Sequence, residues 1–189
     1  MLFRSDVRKG LSSHDPQARY IEAFTGGVRV ASLYAPNGEE VGSEKFAYKL
    51  SFYQTLFHHV QKVLELGESF IIGGDYNIAP YDEDVSPLFK VKGERILCSE
   101  EERAALFKLY NLGLIDAIRQ CHPHSIQSGK DLYSWWDYRG GSWEQNKGMR
   151  IDHLLLSPQA ADRLKSARID IKPRGWERPS DHVPVICEL

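Results

Sequence analysis

The run Phe70-Ile71-Ile72-Gly73-Gly74-Asp75-Tyr76-Asn77 constrains this chain more than any other stretch. Five apolar or side-chain-free residues end abruptly in a carboxylate and, two residues later, a carboxamide. A short apolar run bounded by Gly reads as a buried strand. Strand side chains alternate with period 2, so Asp75 and Asn77 are expected to leave the end of that strand pointing the same way. Two oxygen donors fixed on a rigid element suit a hard cation or an activated water. A second polar cluster, Ser180-Asp181-His182, lies near the C-terminus.

Flanking segments read as a mixed α/β domain. Arg19 to Phe24 and Val28 to Tyr34 form a hairpin pattern around Thr25-Gly26-Gly27, and Pro36-Asn37-Gly38 is a turn. Phe46, Leu50, Tyr53, Phe57, Val60 and Leu64 recur at helical spacing, predicting a helix over 43–66 that ends at Gly67. Pro80 to Gly93 reads as an irregular loop. Ser99 followed by Glu102 is a capping box before a helix over 103–110. Leu132 to Tyr138, Met149 to Ser157, Ala167 to Lys172 and Val183 to Leu189 read as strands, with a short helix over 158–164. Strands outnumber helices without alternating regularly, so a mixed sheet is favoured over a doubly wound parallel one.

The chain has 189 residues, 42% hydrophobic and 26% charged, with a formal charge of −2, which fits one globular domain over 1–189. The balance does not itself announce nucleic acid. From Arg139 to Arg178, however, nine Lys or Arg face five acids, compatible with a phosphate-facing edge or with an ordinary solvated surface. Cys98, Cys121 and Cys187 are widely spaced and form no CxxC, which favours a reducing compartment. The expected setting is cytoplasmic, with no membrane partner. No P-loop or GxSxG is present, which argues against triphosphate hydrolysis and serine esterase chemistry.

Asp152 precedes the apolar run Leu154-Leu155-Leu156, where an unpaired carboxylate would be costly. His182, stiffened by Pro179 and Pro184, is a natural partner, and a carboxylate that orients an imidazole is a recurrent catalytic unit. The alternative is that Asp152 ties down a loop backbone. Hard oxygen donors, one histidine and the phenol of Tyr34 together suit Mg²⁺-assisted hydrolysis of a phosphate ester rather than zinc chemistry.

Leu33-Tyr34-Ala35-Pro36-Asn37, Gly74-Asp75-Tyr76-Asn77, the stretch Tyr133 to Arg139, the stretch Gly148 to Ser157 and Pro179 to Val185 resemble, in order and spacing, the exodeoxyribonuclease III family of the endonuclease/exonuclease/phosphatase superfamily. The resemblance implies a four-layer αββα sandwich of two mixed sheets flanked by helices. It implies a Mg²⁺- or Mn²⁺-dependent nuclease acting on double-stranded and abasic-site DNA, as 3′ to 5′ exonuclease and abasic endonuclease. By position it makes Asp75 the group that handles the attacking water, with Asn77 beside it. His182 becomes the phosphate-contacting imidazole with Asp152 as its partner, and Tyr34 a phenol at the phosphate. Asp75, Asn77 and Asp181 become metal ligands. Trp135, Met149 and Ile151 match an apolar cup for a base-less sugar, with Arg139 and Arg150 on the substrate side. For Trp136 core packing is favoured, since strand neighbours face opposite sides.

Family members open with a strand carrying an Asn and then a Glu that anchors the metal, and Met1-Leu2-Phe3-Arg4-Ser5 carries neither. Glu22 sits too late to replace that Glu. The expectation is therefore a domain lacking the N-terminal part of its first sheet, with weak metal affinity and an edge prone to self-association. A fragment that binds DNA or a partner without catalysis, and a phosphatase of the same superfamily, are the alternatives.

Overall fold

A computed structural model describes residues 7–12, 17–89, 95–123 and 132–189. Met1 to Ser5 and the 90–93 part of the expected loop lie outside the described residues. The main sheet has six strands in the order β1-β2-β3-β4-β6-β5. These are β1 (Val7–Lys9), β2 (Tyr20–Thr25), β3 (Val28–Tyr34), β4 (Phe70–Asp75), β5 (Ile115–Asp116) and β6 (Asp152–Leu156). Only the β3–β4 pair is parallel; the other pairs are antiparallel. A second sheet, β7 (Ser166–Ile169) with β8 (Val185–Glu188), is antiparallel.

Two helices cover one face of the main sheet. α1 (Glu44–Leu64) starts at Ser43, whose side chain accepts from the Phe46 amide, and α2 (Glu100–Asn111) carries the expected Ser99–Glu102 capping box. Phe52, Tyr53, Leu56, Val60 and Val63 of α1 join Leu106 and Leu109 of α2 against Ala31, Leu33, Phe70, Ile72 and Leu155. On the opposite face, Ile71 and Leu156 pack with α3 (Ala117–Cys121), α4 (Pro158–Ala161) and the second sheet. The mixed α/β architecture of two sheets and helices is thus the observed one.

Local differences have physical reasons. The buried stripe of α1 is rotated from the expected one, leaving Leu50, Phe57 and Leu64 half-buried while Lys49 and His59 are buried. Hydrophobic periodicity is blind to polar groups that find buried partners. Leu132 to Tyr138 is not a strand: it makes isolated bridges, Trp135 to both Met149 and His182, because its two neighbours belong to different segments. The strand expected from Met149 begins at Asp152, since the Met149–Ile151 backbone is already committed to Ser134, Trp135, Asp84 and Tyr76. β7 stops at Ile169 and gives way to a 3-10 turn over Lys172–Gly175. β5 and α3 carried no sequence signal long enough to find.

Arg150 was expected at the substrate, and here the structure corrects the sequence reading. Its guanidinium is fully buried, donating to Asp84 Oδ1 (2.7 Å), Asp116 Oδ2 (2.6 Å) and His153 Nδ1 (3.0 Å). His153 Nε2 in turn donates to the Ile78 carbonyl at 2.8 Å, so the ring is used as a neutral imidazole, and burial followed by the Arg150 charge holds its pKa down. Burial alone would raise Asp116, but the Arg150 charge and hydrogen bond hold it below the usual carboxylate range. A guanidinium this enclosed crosslinks the β6 entry to the loop before α2 and to the N-cap of α3.

Removing one partner of such a pair leaves an uncompensated buried charge, so Arg150→Met is expected to cost about 3–5 kcal/mol in urea unfolding. The depressed Asp116 carboxyl stabilises the fold above its unfolded pKa and loses that contribution as pH falls through the folded value. The stability gap between wild type and Asp116→Asn is therefore expected to narrow below about pH 4.

Candidate active site

Three strand ends meet at one rim of the main sheet. Tyr34 ends β3 in register with Asp75, which ends β4, and Asp75 pairs with Asp152, which opens β6. Residues directly opposed across an antiparallel pair project to the same face, so Asp75 and Asp152 present two carboxylates side by side. Gly74 permits the approach. Its φ is +142°, and a Cβ there would sit 1.9 Å from the Leu33 carbonyl oxygen.

β4 ends at Asp75, so Asn77 reaches the site by a route other than strand alternation. Its backbone adopts φ 50°, in the left-handed region. That turn brings Asn77 N to Asp75 Oδ1 (2.7 Å) and Asn77 Nδ2 to Asp75 Oδ2 (2.9 Å). Asn77 Nδ2 also donates to the Ala35 carbonyl, while Asn37 Nδ2 donates to Asn77 Oδ1 at 3.1 Å. The Asp75–Asn77 pair is therefore a closed carboxylate–carboxamide unit. Burial, then the Asp152 carboxylate, push the Asp75 pKa up to about 7, against the opposing pull of His182, the Asn77 amide and Lys49. A carboxyl balanced near neutrality is suited to exchanging a proton with water.

The second unit is Asp152–His182, joined at 2.8 Å between Oδ2 and Nδ1. Two loops must converge for this, and the extended 133–136 segment brings them together. On one side it bonds to Met149, on the other to Asp181 and Val183. Ser134 Oγ, fully buried, accepts from both the Ile151 and Asp152 amides and so sets the angle at which Asp152 enters. Burial alone would lower the His182 pKa, but the Asp152 hydrogen bond and charge, with Asp75 and Asp181 behind, hold it above the ordinary imidazole value. With Nδ1 engaged, Nε2 is the nitrogen an anionic oxygen can meet.

The remaining sequence candidates fall into three groups. Asp181 turns its Oδ2 to Trp135 Nε1 at 3.0 Å. Tyr34 and Arg139 are exposed, Tyr34 with the Arg19 guanidinium 5.0 Å from its ring centre. Met149 is fully buried and Ile151 nearly so, packed with Ala79, Leu97 and the half-buried Trp135. Met149 therefore offers no surface to a substrate in this conformation, contrary to the sequence reading, because the cup is closed on itself. Trp136 is core, packed edge-on against Trp143. Glu22 is engaged with Tyr20, His59 and Arg29 inside the core.

Four positions were given no role at the site by the sequence reading: Ser134, Asn37, Lys49 and Glu102. Asn37 was visible as a turn residue and Glu102 as a cap; buried Lys49 had no local signal. For a divalent cation, the donor chemistry is right and the donor number is not. Asp75, Asn77, Asp152 and Asp181 are hard oxygen donors. Yet no group of three or more His, Cys, Asp or Glu arranged to hold a metal exists among the described residues. Asn77 Oδ1 accepts from Asn37, and one Asp181 oxygen, Oδ2, accepts from Trp135. The described residues do not compose a complete metal site.

Residues 1–182 match the Endonuclease/Exonuclease/phosphatase family. The chain is 35% identical to Exodeoxyribonuclease III of Haemophilus influenzae, over 97% of this chain and 72% of that protein. It superposes on a 3′ phosphatase, NExo, from Neisseria bound to a product DNA hairpin, with TM-score 0.90 and 42% identity, over 98% of this chain and 72% of that one. An AP endonuclease from Archaeoglobus fulgidus gives TM-score 0.88 and 35% identity, over 97% and 70%.

Asp152→Asn removes the charge that favours the imidazolium. By ¹⁵N NMR titration the His182 pKa is expected to fall relative to wild type. An unchanged pKa would dissociate His182 from Asp152.

Proposed function

The chain belongs to the Endonuclease/Exonuclease/phosphatase family, and on that premise we propose that it is a DNA-repair nuclease hydrolysing DNA phosphodiesters. The proposed reactions are 3′ to 5′ exonuclease action on duplex DNA and incision at abasic sites. The observation that carries this reading is the convergence of Asp75–Asn77 and Asp152–His182 at one sheet rim. Relatives named for exodeoxyribonuclease and AP endonuclease activity support it.

In this reading the Asp75 carboxylate accepts the proton of the attacking water, while Asn77 holds that carboxylate in place. The water oxygen bonds to phosphorus as the P–O3′ bond breaks, and the departing 3′ oxygen takes its proton from solvent. His182, kept protonated by Asp152, donates from Nε2 to a non-bridging phosphate oxygen as negative charge builds there. Tyr34 sits on the same rim and supplies a phenol toward the phosphate, and the exposed Arg139 a backbone contact. Trp135 lies between Asp181 and the apolar cluster, positioned to receive a base-less sugar if that cluster opens. The family is generally dependent on a divalent metal, and Mg²⁺ or Mn²⁺ would supply charge neutralisation at the phosphate. The described residues do not complete such a site, so each role above is assigned to this chain's own groups.

A second reading, removal of a phosphate from a DNA 3′ end, is favoured by the structural relative described as a 3′ phosphatase. Both are distinguished by incubating abasic duplexes and 3′-phosphorylated duplexes with the protein in Mg²⁺, Mn²⁺ or EDTA. Metal-dependent strand cleavage is expected, with Asp75→Ala and His182→Ala each lowering kcat by roughly 10²–10⁴-fold. Release of phosphate without strand cleavage would replace the nuclease reading with the phosphatase one. A folded sample that binds DNA but turns over neither substrate would leave a binding-only fragment.

The same sheet also carries an exposed apolar face. Val7, Ile21 and Val30 are 44–47% exposed on adjacent strands, beside the β1 edge. Self-association through it is part of the proposed behaviour. Sedimentation velocity is expected to show concentration-dependent dimers that Ile21→Lys with Val30→Lys suppresses.

A further inference from the structure

Lys49 is a buried cation whose surroundings are unusual for a structural ion pair. It lies on α1 with no exposed surface, and its ammonium has three hydrogens to place. One goes to Glu102, which is equally buried. The other two go to backbone carbonyls, Asn77 O at 2.7 Å and Asn37 O at 3.0 Å. Those carbonyls belong to different loops: Asn37 follows β3 and Asn77 follows β4. They are the two turns whose side chains assemble beside Asp75, through Asn37 Nδ2 to Asn77 Oδ1 and Asn77 Nδ2 to Asp75 Oδ2.

Three further observations converge on the same ammonium. Asn77 sits at φ 50°, in the left-handed region that Asn enters more readily than other side-chain-bearing residues, and Lys49 binds the carbonyl of that same turn. The Lys49 stem lies against the Asn37–Gly38 turn so closely that a Cβ on Gly38 would meet Lys49 Cδ at 3.0 Å. Glu102 extends the restraint, accepting from the Leu97 and Ser99 amides and from Ser99 Oγ, while the Leu97 carbonyl accepts from Ala79, two residues beyond Asn77. One buried pair therefore ties α1, α2 and both turns of the candidate site to a single point.

We propose that Lys49, with Glu102 as its counter-charge, is a positioning residue for the Asp75–Asn77 unit: by binding the Asn37 and Asn77 carbonyls it fixes both turns in the arrangement that presents the Asn77 amide to Asp75. Lys49 meets these groups through the backbone and acts on catalysis through Asn77. The consequence for turnover rests on the nuclease reading above; the consequence for Asn77 does not.

The test separates positioning from stability. Replacing both charges with apolar groups of similar volume, Lys49→Met with Glu102→Leu, often preserves stability because no lone buried charge remains. The double variant nevertheless cannot donate to either carbonyl. In the folded double variant, hydrogen exchange of the Asn77 side-chain amide is expected to accelerate at least ~10-fold, with ¹³Cα and ¹³Cβ shifts of Asn77 moving away from left-handed values. On the DNA substrate kcat is expected to fall about 100-fold with KM little changed, as for a displaced reacting group. Lys49→Arg, which keeps a cation with several donors, is expected to recover part of both effects. Unchanged Asn77 exchange and shifts in the folded double variant would overturn the proposal. If the double variant fails to fold, Glu102→Gln decides: faster Asn77 amide exchange supports the proposal, and wild-type exchange overturns it. Should wild-type protein cut no DNA, the nuclease reading fails while the Asn77 measurements still judge this one.

Discussion

The site exists because β4 can lie tightly between β3 and β6, with all three strand ends in one row. Gly74 at the end of β4 permits this, since a Cβ there would overlap the Leu33 carbonyl. One on Gly73 would meet only the movable end of the Leu154 side chain. With no Cβ at Gly74, the parallel β3–β4 ladder and the antiparallel β4–β6 ladder run to the same level. Tyr34, Asp75 and Asp152 then follow as a row rather than as three separate loop residues. A one-residue slip of β6 would turn Asp152 to the opposite face and separate it from both Asp75 and His182.

Beneath that row the molecule places its charges in enclosed sets. Lys49 with Glu102, Arg150 with Asp84 and Asp116, and Glu22 with Arg29 and His59 are each buried and hydrogen-bonded. Apolar replacements could match such sets in stability. Their geometric property is directionality: each joins segments distant in sequence through groups that tolerate few orientations. Arg150 fixes the approach to β6 one strand position away from Ile151 and two from Asp152, and Lys49 fixes the turns around Asn77. The polar rim is thus supported by polar anchors below, so its side chains are held by more than their own loops.

Much of this was legible in the sequence, for identifiable reasons. The β2–β3 hairpin, α1, α2 and β4 announce themselves through glycines, caps and apolar periodicity, all local signals. Asp75, Asp152 and His182 were conspicuous as polar residues set against apolar or proline-flanked segments. Arg150 was misread because a cation in a basic stretch resembles a surface residue until its two carboxylate partners, 66 and 34 positions away, are known. Met149 was misread for a related reason. Its neighbours Ala79 and Leu97 close over it from loops whose packing no spacing rule describes. The 132–138 segment looked like a strand because it is aromatic, but a strand also needs a continuous partner.

The sequence by itself determined that Tyr34 and Asp75 stand at the ends of β3 and β4, since period-2 alternation, glycine and apolar runs act over a few residues. The Asp75–Asn77 proximity was visible there, though its mechanism, a left-handed backbone at Asn77 rather than continued strand, was not. Tertiary structure alone decided which polar groups share a charge environment. Electrostatic and hydrogen-bond partners are set by distance in space, and the contacts that define this site join residues 28 to 53 positions apart. Local pattern carries no information about which of many compatible partners lies across such a gap. The folded sheet supplies it by bringing the strand ends to one rim.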